Sequence, residues 1–382
     1  MKKIIIVLMV SLLSAGSFTY AQNKTGADMS KECPPNQECS KDMMKDDMKK
    51  DDMKKDDMMK DDMKKDDMKK DDMKKDNMKK DDMKKDDMKK DKSKKEKKQK
   101  PQSVAAFLIK SGKTAVLVET GPDSCYPELE KQLKASGLSP ADISAVFLTH
   151  IHFDHAGCAW RFARNGTKIY LHPNGFRHMA NPEKLIESAS RIYLDQMDVL
   201  WGKIEPIEEQ MLVQVQDGER VTAGDLTMTA HFTPGHAKHH IVWQFGDSLF
   251  TGDVAGCRIG TGPAVAPTPP PDLDYSEWKK SIELMKALNP REIYLTHFGR
   301  FDDPHPHLEA LSRQLDFLFN LSEAAFRRNE KNEVPAGFLD AFFEAYYRAW
   351  HIGNDAVTAY GNISPNWMNA QGLTRWMQKN LT

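Results

Sequence analysis

The sequence predicts an α/β fold in one large domain that follows residue 100. Short apolar runs rich in β-branched residues recur between turns that contain Gly, Pro, Asn or Asp, a pattern typical of buried strands. Longer segments with apolar residues at helical spacing separate these runs and dominate the chain after residue 300. Hydrophobic residues make up 40% of the chain although a long charged segment dilutes them, so the domain can bury a sizeable core.

The chain begins with a segment that has the properties of a secretory signal peptide. Lys2 and Lys3 provide positive charge, Ile4–Phe18 is mostly apolar, and Thr19-Tyr20-Ala21 is a small-residue cleavage site. The apolar run is shorter than the ~20 residues that a membrane-spanning helix needs, and an uncleaved anchor is the alternative. We therefore expect residues 1–21 to be removed and the mature protein to be secreted without stable membrane insertion, into the periplasm of a bacterium with two membranes.

Residues 22–100 form a low-complexity segment. A Met falls at every fifth position from Met43 to Met88, mostly with Lys-Lys-Asp-Asp between. Successive Met residues move by about 140° around a helix and alternate between the faces of a strand, so the repeat has no apolar face to bury. We expect a disordered or helical charged spacer, whose removal together with the signal peptide leaves the domain's stability unchanged; weak contact with metals or anionic surfaces is the alternative role. Cys33 and Cys39 could form a disulfide in an oxidising compartment.

The domain is predicted to span residues 101–330, with a helical extension at 331–382 packed on it. It begins with a hairpin of Ala105–Ile109 and Thr114–Val118, and a helical insertion at Asn181–Trp201 is expected to border a pocket. The other predicted strands are Ala145–Leu148, Thr167–Leu171, Met211–Val215, Leu226–Phe232, Ile241–Phe245, Ser248–Phe250 and Glu292–Leu295. The other predicted helices are Tyr126–Ala135, Tyr275–Leu288, Leu308–Arg327 and Phe338–Trp350. His305 and His307 are interpreted as solvated loop residues.

Four side chains that commonly bind metals follow the strand Ala145–Leu148. They are His150, His152, Asp154 and His155. On an extended segment the two His residues at positions 150 and 152 point to the same side, and two neutral imidazoles suit zinc. The Asp and His that follow suit a second metal, and the whole pattern is far more specific than a single His.

Three further residues of this type follow predicted strands at turns that contain Gly. His236 ends Thr-Pro-Gly-His, Asp253 ends Thr-Gly-Asp, and His297 lies in Thr-His-Phe-Gly. A rigid sheet can bring loops from different strand ends together, so we expect these residues to meet the first motif at one site. A Gly- and Pro-rich loop after Asp253 runs to Pro271 and is a candidate substrate-facing loop.

With these motifs in this order, residues 103–297 resemble the metallo-β-lactamase fold superfamily. The resemblance implies a four-layer αββα sandwich that holds two metal ions between the edges of its sheets, followed here by C-terminal helices. The implied ligands of the first metal are His150, His152 and His236, and those of the second are Asp154, His155 and His297. Asp253 is the implied bridge between the metals. Asp154 and Asp253 are then the catalytic carboxylates, and two Zn²⁺ ions per chain are the expected cofactor.

Two other segments bear on the resemblance. The family often has Asp-Thr-Gly after its early hairpin, where the Asp orients a metal ligand, whereas this chain has Glu119-Thr120-Gly121. A Glu there can still accept a hydrogen bond from an imidazole N–H. The segment 364–369, Ser-Pro-Asn-Trp-Met-Asn, resembles the tail of a subgroup of hydrolases of this fold. Cys158 and Cys257 lie near the motifs and are interpreted as buried apolar residues.

The predicted function is hydrolysis of a small molecule. Two divalent cations lower the pKa of a bound water toward ~7 and polarise the scissile bond. A bridging Asp, with no Cys as ligand, resembles hydroxyacylglutathione hydrolases and lactonases, so the expected substrate is an ester, thioester, lactone or amide. The alternatives are a phosphodiesterase or a mononuclear iron oxygenase of the same fold, and a non-enzymatic metal-binding or surface protein. The net charge of −1 and the lack of a basic patch with aromatic residues argue against nucleic-acid binding.

Overall fold

The computed structural model describes residues 4–10 and 103–382 of the chain. The repeat, Cys33 and Cys39, and most of the predicted signal peptide lie outside the described residues. Among the helices of the described part, none combines the length and the apolar character that crossing a bilayer requires.

The strands of the described residues form two mixed sheets of six strands each. The first sheet has the spatial order β1 (Ile4–Val10), β2 (Val104–Ser111), β3 (Thr114–Val118), β4 (Ala145–Phe147), β5 (Lys168–Leu171) and β6 (Leu212–Gln214). The second has the order β12 (Gly299–Phe301), β11 (Glu292–Leu295), β10 (Ser248–Gly252), β9 (Ile241–Phe245), β8 (Leu226–Phe232) and β7 (Arg220–Ala223). In the first sheet, β3 to β6 run parallel to one another. In the second sheet, only the β10–β11 pair is parallel.

Eleven α-helices of the described residues connect and cover these sheets. Those before β6 are α1 (Tyr126–Ala135), α2 (Phe153–Ala156), α3 (Ala159–Arg164), α4 (Pro173–Ala180), α5 (Glu183–Tyr193) and α6 (Met197–Leu200). Those after β10 are α7 (Tyr275–Ala287), α8 (Pro304–Arg328), α9 (Ala336–Ala349), α10 (Asn354–Ile363) and α11 (Asn366–Leu381). Most of the predicted elements are therefore confirmed within one to four residues at their ends.

The sheets pack face to face through side chains that alternate along their strands. In β2, Phe107 and Ile109 point into the space between the sheets, whereas Leu108 points to the outer face of the first sheet. The Phe107 ring lies 5.3 Å from that of Phe250 on the second sheet. Helices α1, α3 and α4 cover the outer face of the first sheet, and α7, α8, α9 and α11 cover that of the second. The predicted four-layer αββα sandwich with C-terminal helices is confirmed.

The edge strand β1 comes from the segment predicted to be a signal peptide. It pairs antiparallel with β2 along its whole length, from Ile4 opposite Lys110 to Val10 opposite Val104. Val7 and its alternate neighbours pack into the core between the sheets, and Leu8, which is 2% exposed, packs into the outer core. A continuous apolar run is typical of a signal peptide, but it is equally typical of a strand that is buried on both faces. Cleavage after Ala21 would remove β1.

The interpretation of His307 as a solvated loop residue is wrong. Helix α8 begins at Pro304. A Pro is well tolerated at this position, because the N–H that it lacks would have no hydrogen-bond partner within the helix. His307 is buried, and its Nε2 lies 2.7 Å from the carbonyl oxygen of Ala255. His305 is exposed on the same helix and lies 3.0 Å from the side-chain oxygen of Asn289. His307 therefore fixes the loop that follows Asp253.

Candidate metal centre

The predicted ligand residues lie at one edge of the sandwich, where strands of both sheets end. His150 and His152 follow β4, and α2 begins directly after them and carries the Asp and His of the same motif. His236 lies between β8 and β9, Asp253 follows β10, and His297 follows β11. The seven side chains come from loops and from the short helix α2, which are far apart in sequence but meet at one edge of the sandwich.

The structure brings these residues together as two adjoining groups. His150, His152 and His236 offer ring nitrogens that all lie within 4.8 Å of one another. Asp154, His155 and His297 form a second group within the same limit. Each group offers three donors to one cation, and such nitrogen and oxygen donors match those that Zn²⁺ takes.

Asp253 lies between the two groups. Its Oδ1 is 3.3 Å from the Nε2 of His155 and 3.3 Å from the Nε2 of His297, whereas its Oδ2 is 3.4 Å from the Nε2 of His236. Asp253 Oδ1 and His155 Nε2 are buried without a hydrogen-bond partner of good geometry. Buried polar atoms without partners are costly, and cations beside these atoms would satisfy them. The residues present therefore fit two metal ions that share one carboxylate.

Hydrogen bonds behind the site decide which ring nitrogen faces it. The Nδ1 atoms of His236 and His297 lie 3.0 Å from the carbonyl oxygens of Pro267 and Ser103 and donate to them, which leaves each Nε2 free for a metal. His152 is reversed, because its Nδ1 lies 2.9 Å from the Nε2 of His150 and 3.2 Å from that of His236. The first group thus presents two Nε2 atoms and one Nδ1 atom.

The two groups differ in charge. Burial and the neighbouring His residues lower the pKa of His150 and His152, so these rings are neutral at pH 7. Burial also lowers the pKa of His155 and His297, but the nearby carboxylates of Asp253 and Asp154 have the larger, opposite effect. The pKa of His155 is therefore raised well above its ordinary value, and that of His297 is raised to about 10. The second group is therefore an array of ion pairs in the metal-free chain, and a cation would take the place of the protons.

Glu119 occupies the expected place behind the second group. It is fully buried with a φ of 66°, and its Oε1 accepts hydrogen bonds from the Nδ1 of His155 at 3.0 Å and from the hydroxyl of Thr296 at 3.3 Å. The Thr149 hydroxyl also donates to Oε1 and lies 3.0 Å from the Nδ1 of His150. One carboxylate thus orients a residue of each donor group, directly for His155 and through Thr149 for His150.

We expect replacement of Glu119 to weaken metal binding directly, in addition to any loss of folding stability. Glu119→Leu should lower the affinity for the second metal by about 10- to 100-fold, because His155 loses the acceptor that fixes its ring. Glu119→Asp should keep most of the affinity, since Asp tolerates a positive φ and can still accept from the ring. Competition with a chromophoric chelator measures both variants, and equal affinities for Leu and Asp would contradict this role.

Cys158 and Cys257 do not join the ligand groups of the described residues. Both thiols are buried, burial raises the pKa of each, and Cys158 Sγ lies 3.1 Å from the carbonyl oxygen of Thr120. Their interpretation as buried apolar residues agrees with this placement.

The sequence prediction missed His239 and His240. The Nε2 of His240 accepts a hydrogen bond from the backbone N–H of Asp253 at 3.3 Å, and its Nδ1 lies 2.9 Å from the Thr233 hydroxyl. The ring of His239 is buried beside His152, with ring centroids 5.7 Å apart, and its Nδ1 has no partner among the described residues. Two more His residues within four positions of His236 were the signal in the sequence.

The predicted insertion borders the site. Trp201 is buried against Phe153, which stands between two ligand residues, and against Tyr193, with ring centroids 6.0 and 5.0 Å apart. The hydroxyl of Tyr193 lies 4.0 Å from the sulfur of Met368 on α11. The insertion and the last helix therefore meet beside the second group.

The candidate ligand residues lie within the part of the chain that matches a known family. The sequence profile of the Metallo-beta-lactamase superfamily matches residues 100–297. The chain is 28% identical over 203 residues to the metallo-beta-lactamase fold-containing protein ST1585 of Sulfurisphaera tokodaii. This match covers 52% of this chain and 74% of ST1585. The chain is 31% identical over 151 residues to the N-acyl homoserine lactonase AttM of Agrobacterium fabrum, which covers 36% of this chain and 54% of the lactonase. The match therefore spans about half of the lactonase's length.

A solved structure has a similar fold. The metallo-beta-lactamase family protein TTHA1429 from Thermus thermophilus superimposes with a TM-score of 0.53 at 20% sequence identity, over 72% of this chain and 88% of that one. At this identity the similarity concerns the fold alone.

Proposed function

The chain belongs to the metallo-beta-lactamase superfamily, and from this we propose that it is a hydrolase that uses two Zn²⁺ ions to cleave an ester, thioester, lactone or amide bond. The observation that carries the proposal is the position of Asp253, whose two oxygens face two separate groups of donors. A site for one cation needs no carboxylate placed in this way. The donors also contain no thiolate, which suits hydrolysis at an exchangeable water better than a closed structural site.

The side chains of the site divide the work of the reaction. Two divalent cations held by these residues would lower the pKa of a bound water toward ~7 and would stabilise negative charge on the substrate oxygen. Asp253 fixes the spacing of the two groups, because each of its oxygens faces one of them. Asp154 is the more exposed of the two carboxylates, with 20% of its side chain accessible against 6% for Asp253. We assign to it the proton that leaves the attacking water.

The substrate class rests on the relatives and on the donor set. AttM, to which this chain is 31% identical over 151 residues, is named an N-acyl homoserine lactonase. We therefore place lactones first among the carbonyl substrates. Half-buried Tyr193, which packs against Trp201, offers an aromatic surface for an apolar portion of the substrate.

The test combines metal analysis with a substrate panel. Purified protein is expected to hold close to two metals per chain, mostly zinc, and to hydrolyse at least one member of a panel of lactones, esters, thioesters, β-lactams and phosphodiesters. Removal of the metals with a chelator should abolish turnover, and Zn²⁺ should restore it. One iron per chain with oxygen uptake would replace the proposal by an oxygenase, and turnover of the phosphodiesters alone would replace it by a phosphodiesterase.

We expect metal binding at the two groups to differ in pH dependence. His155 and His297 have raised pKa values and hold protons at pH 7, so the metal at the second group must displace about two protons, whereas that at the neutral first group displaces few. The affinity of the second group should therefore rise with pH up to about 10, the pKa of His297. Calorimetry at pH 7 in buffers of different ionisation enthalpy counts the protons. Equal release for both metals would contradict the assignment.

We also propose that the chain is exported, on the composition of residues 1–21 alone. Cleavage after Ala21 during export would remove β1, whereas the first sheet includes β1 as the partner of β2.

A further inference from the structure

The C-terminal helices hold a loop that touches a ligand of the first metal. The stretch between Asp253 and α7 contains no helix or longer strand, only the isolated bridge between Cys257 and Val265. Five Pro residues between positions 263 and 271 lack a backbone N–H, so this stretch offers few donors for a sheet of its own. Its residues 264–268 are nevertheless buried, and partners elsewhere in the chain must satisfy their polar groups.

Side chains of the C-terminal helices supply those partners. The hydroxyl of Tyr360 on α10 accepts from the N–H of Ile259 at 2.9 Å and donates to the carbonyl of Pro263 at 2.8 Å. At the other end of the loop, Asn369 on α11 accepts from the N–H of Thr268 through its Oδ1 at 2.8 Å. The family profile ends at residue 297, so these contacts come from a part of the chain outside it.

Asn369 is fixed in the orientation that this contact needs. It is 1% exposed, and its Nδ2 lies 2.8 Å from the hydroxyl and 3.2 Å from the carbonyl of Ser364. Because Nδ2 faces these acceptors, Oδ1 faces Thr268. One helical turn later, a Cβ on Gly372 would lie 2.0 Å from the carbonyl oxygen of Thr268, so α11 approaches the loop backbone as closely as a glycine allows.

The residue before Thr268 contacts the first metal's group. The carbonyl of Pro267 accepts from the Nδ1 of His236 at 3.0 Å, and this bond leaves the Nε2 of His236 free to face Asp253 and His152. A carbonyl that moves away frees the ring to rotate or to change tautomer, which weakens a metal ligand. The position of that carbonyl depends on the peptide that Asn369 holds.

We infer that Asn369 is a positioning residue for the first metal, acting through Thr268 and Pro267 on His236, and that the C-terminal helices are a working part of the centre. The inference rests on the proposed function, because it concerns a ligand of the proposed metals. It explains why a buried amide in the segment 364–369 contacts a loop 101 residues earlier in the chain.

The test compares Asn369→Leu with Tyr360→Phe. Each variant removes a buried helix side chain that hydrogen-bonds to the same loop, so both should lower the melting temperature of the metal-free protein. Asn369→Leu should also lower the affinity for one of the two metals by about 10- to 100-fold and leave close to one tightly held metal per chain. Tyr360→Phe acts at the end of the loop away from His236 and should keep two. Titration of the metal-free proteins with Zn²⁺ against a chromophoric chelator gives both numbers.

The possible outcomes separate failure of the inference about Asn369 from failure of the proposed function. Two metals bound with wild-type affinity by Asn369→Leu would overturn the inference alone, and so would equal losses of affinity in the two variants. Wild-type protein that binds no metal would overturn the proposed function as well. If Asn369→Leu does not fold, Ser364→Ala is the second variant. It removes the hydroxyl that contacts Nδ2 and Oδ1 of Asn369 but keeps the Ser364 carbonyl, so the affinity for one metal should still fall about threefold. No change there would overturn the inference.

Discussion

Replacing Asp253 with Ala is expected to abolish most of the activity and to release part of the metal. Asp253 faces both donor groups, since its Oδ1 lies against His155 and His297 and its Oδ2 against His236, so its loss unbalances both sites together. Loss of this stabilisation should lower kcat/KM by a factor on the order of 10³, which corresponds to about 4 kcal/mol. Turnover of the best substrate of the panel and metal analysis of the same samples measure the two effects.

The matched control for this variant is His305→Ala. His305 is exposed on α8 and contacts Asn289, away from the ligand groups. It should keep two metals and wild-type turnover. Equal losses in the two variants would show that the effect of Asp253→Ala comes from general damage to the fold, and the bridging role would then be wrong.

Removing residues 1–21 is expected to destabilise the domain strongly, since β1 is lost. Burial of Leu8 alone contributes about 1.5–3 kcal/mol, and its partly buried neighbours on both faces add to it, so the loss should reach about 5 kcal/mol. The melting temperature should fall by roughly 10 °C or more. The free edge of β2 should also promote aggregation, because unpaired strand edges bind other chains.

A chain that lacks residues 22–100 instead is the matched control. It keeps β1 and retains residues 11–21 and 101–103 as the connection to β2, and it should melt near the temperature of the full chain with the same turnover. The prediction that all of residues 1–100 can be removed without cost is therefore revised, because β1 lies within them. An unchanged melting temperature after removal of residues 1–21 would show that β1 is dispensable and that the cleaved chain is the working form.

The ligand residues could be predicted because their signal is local. His150, His152 and their neighbours stand within six positions, and residue type and spacing already indicate the chemistry. Glu119 was predictable for the same reason, as it stands beside a recognisable turn. The fold followed from short runs such as Ala145–Leu148, whose boundaries the structure moves by one residue.

Residues that depend on distant partners escaped prediction. His307 directly follows Pro304-His305-Pro306, whose two Pro residues indicate a loop, and only the position of Ala255 shows that His307 is buried. Asn369 has no feature in its own segment that points to Thr268. Strand β1 was not predicted as the partner of β2 because an apolar run at the start of a chain is typical of a signal peptide. Hydropathy also carries no information on which distant segments pair as strands.

The pairing of β1 with β2 has a consequence for the order of events during synthesis. Val10 pairs with Val104, so β1 cannot find its partner until about a hundred further residues have been made. At 5–20 residues per second this takes about 5 to 20 s. Throughout that interval the apolar start of the chain is free for any factor that captures apolar N-termini. The length of the segment between β1 and β2 therefore sets how long β1 stays unpaired during synthesis.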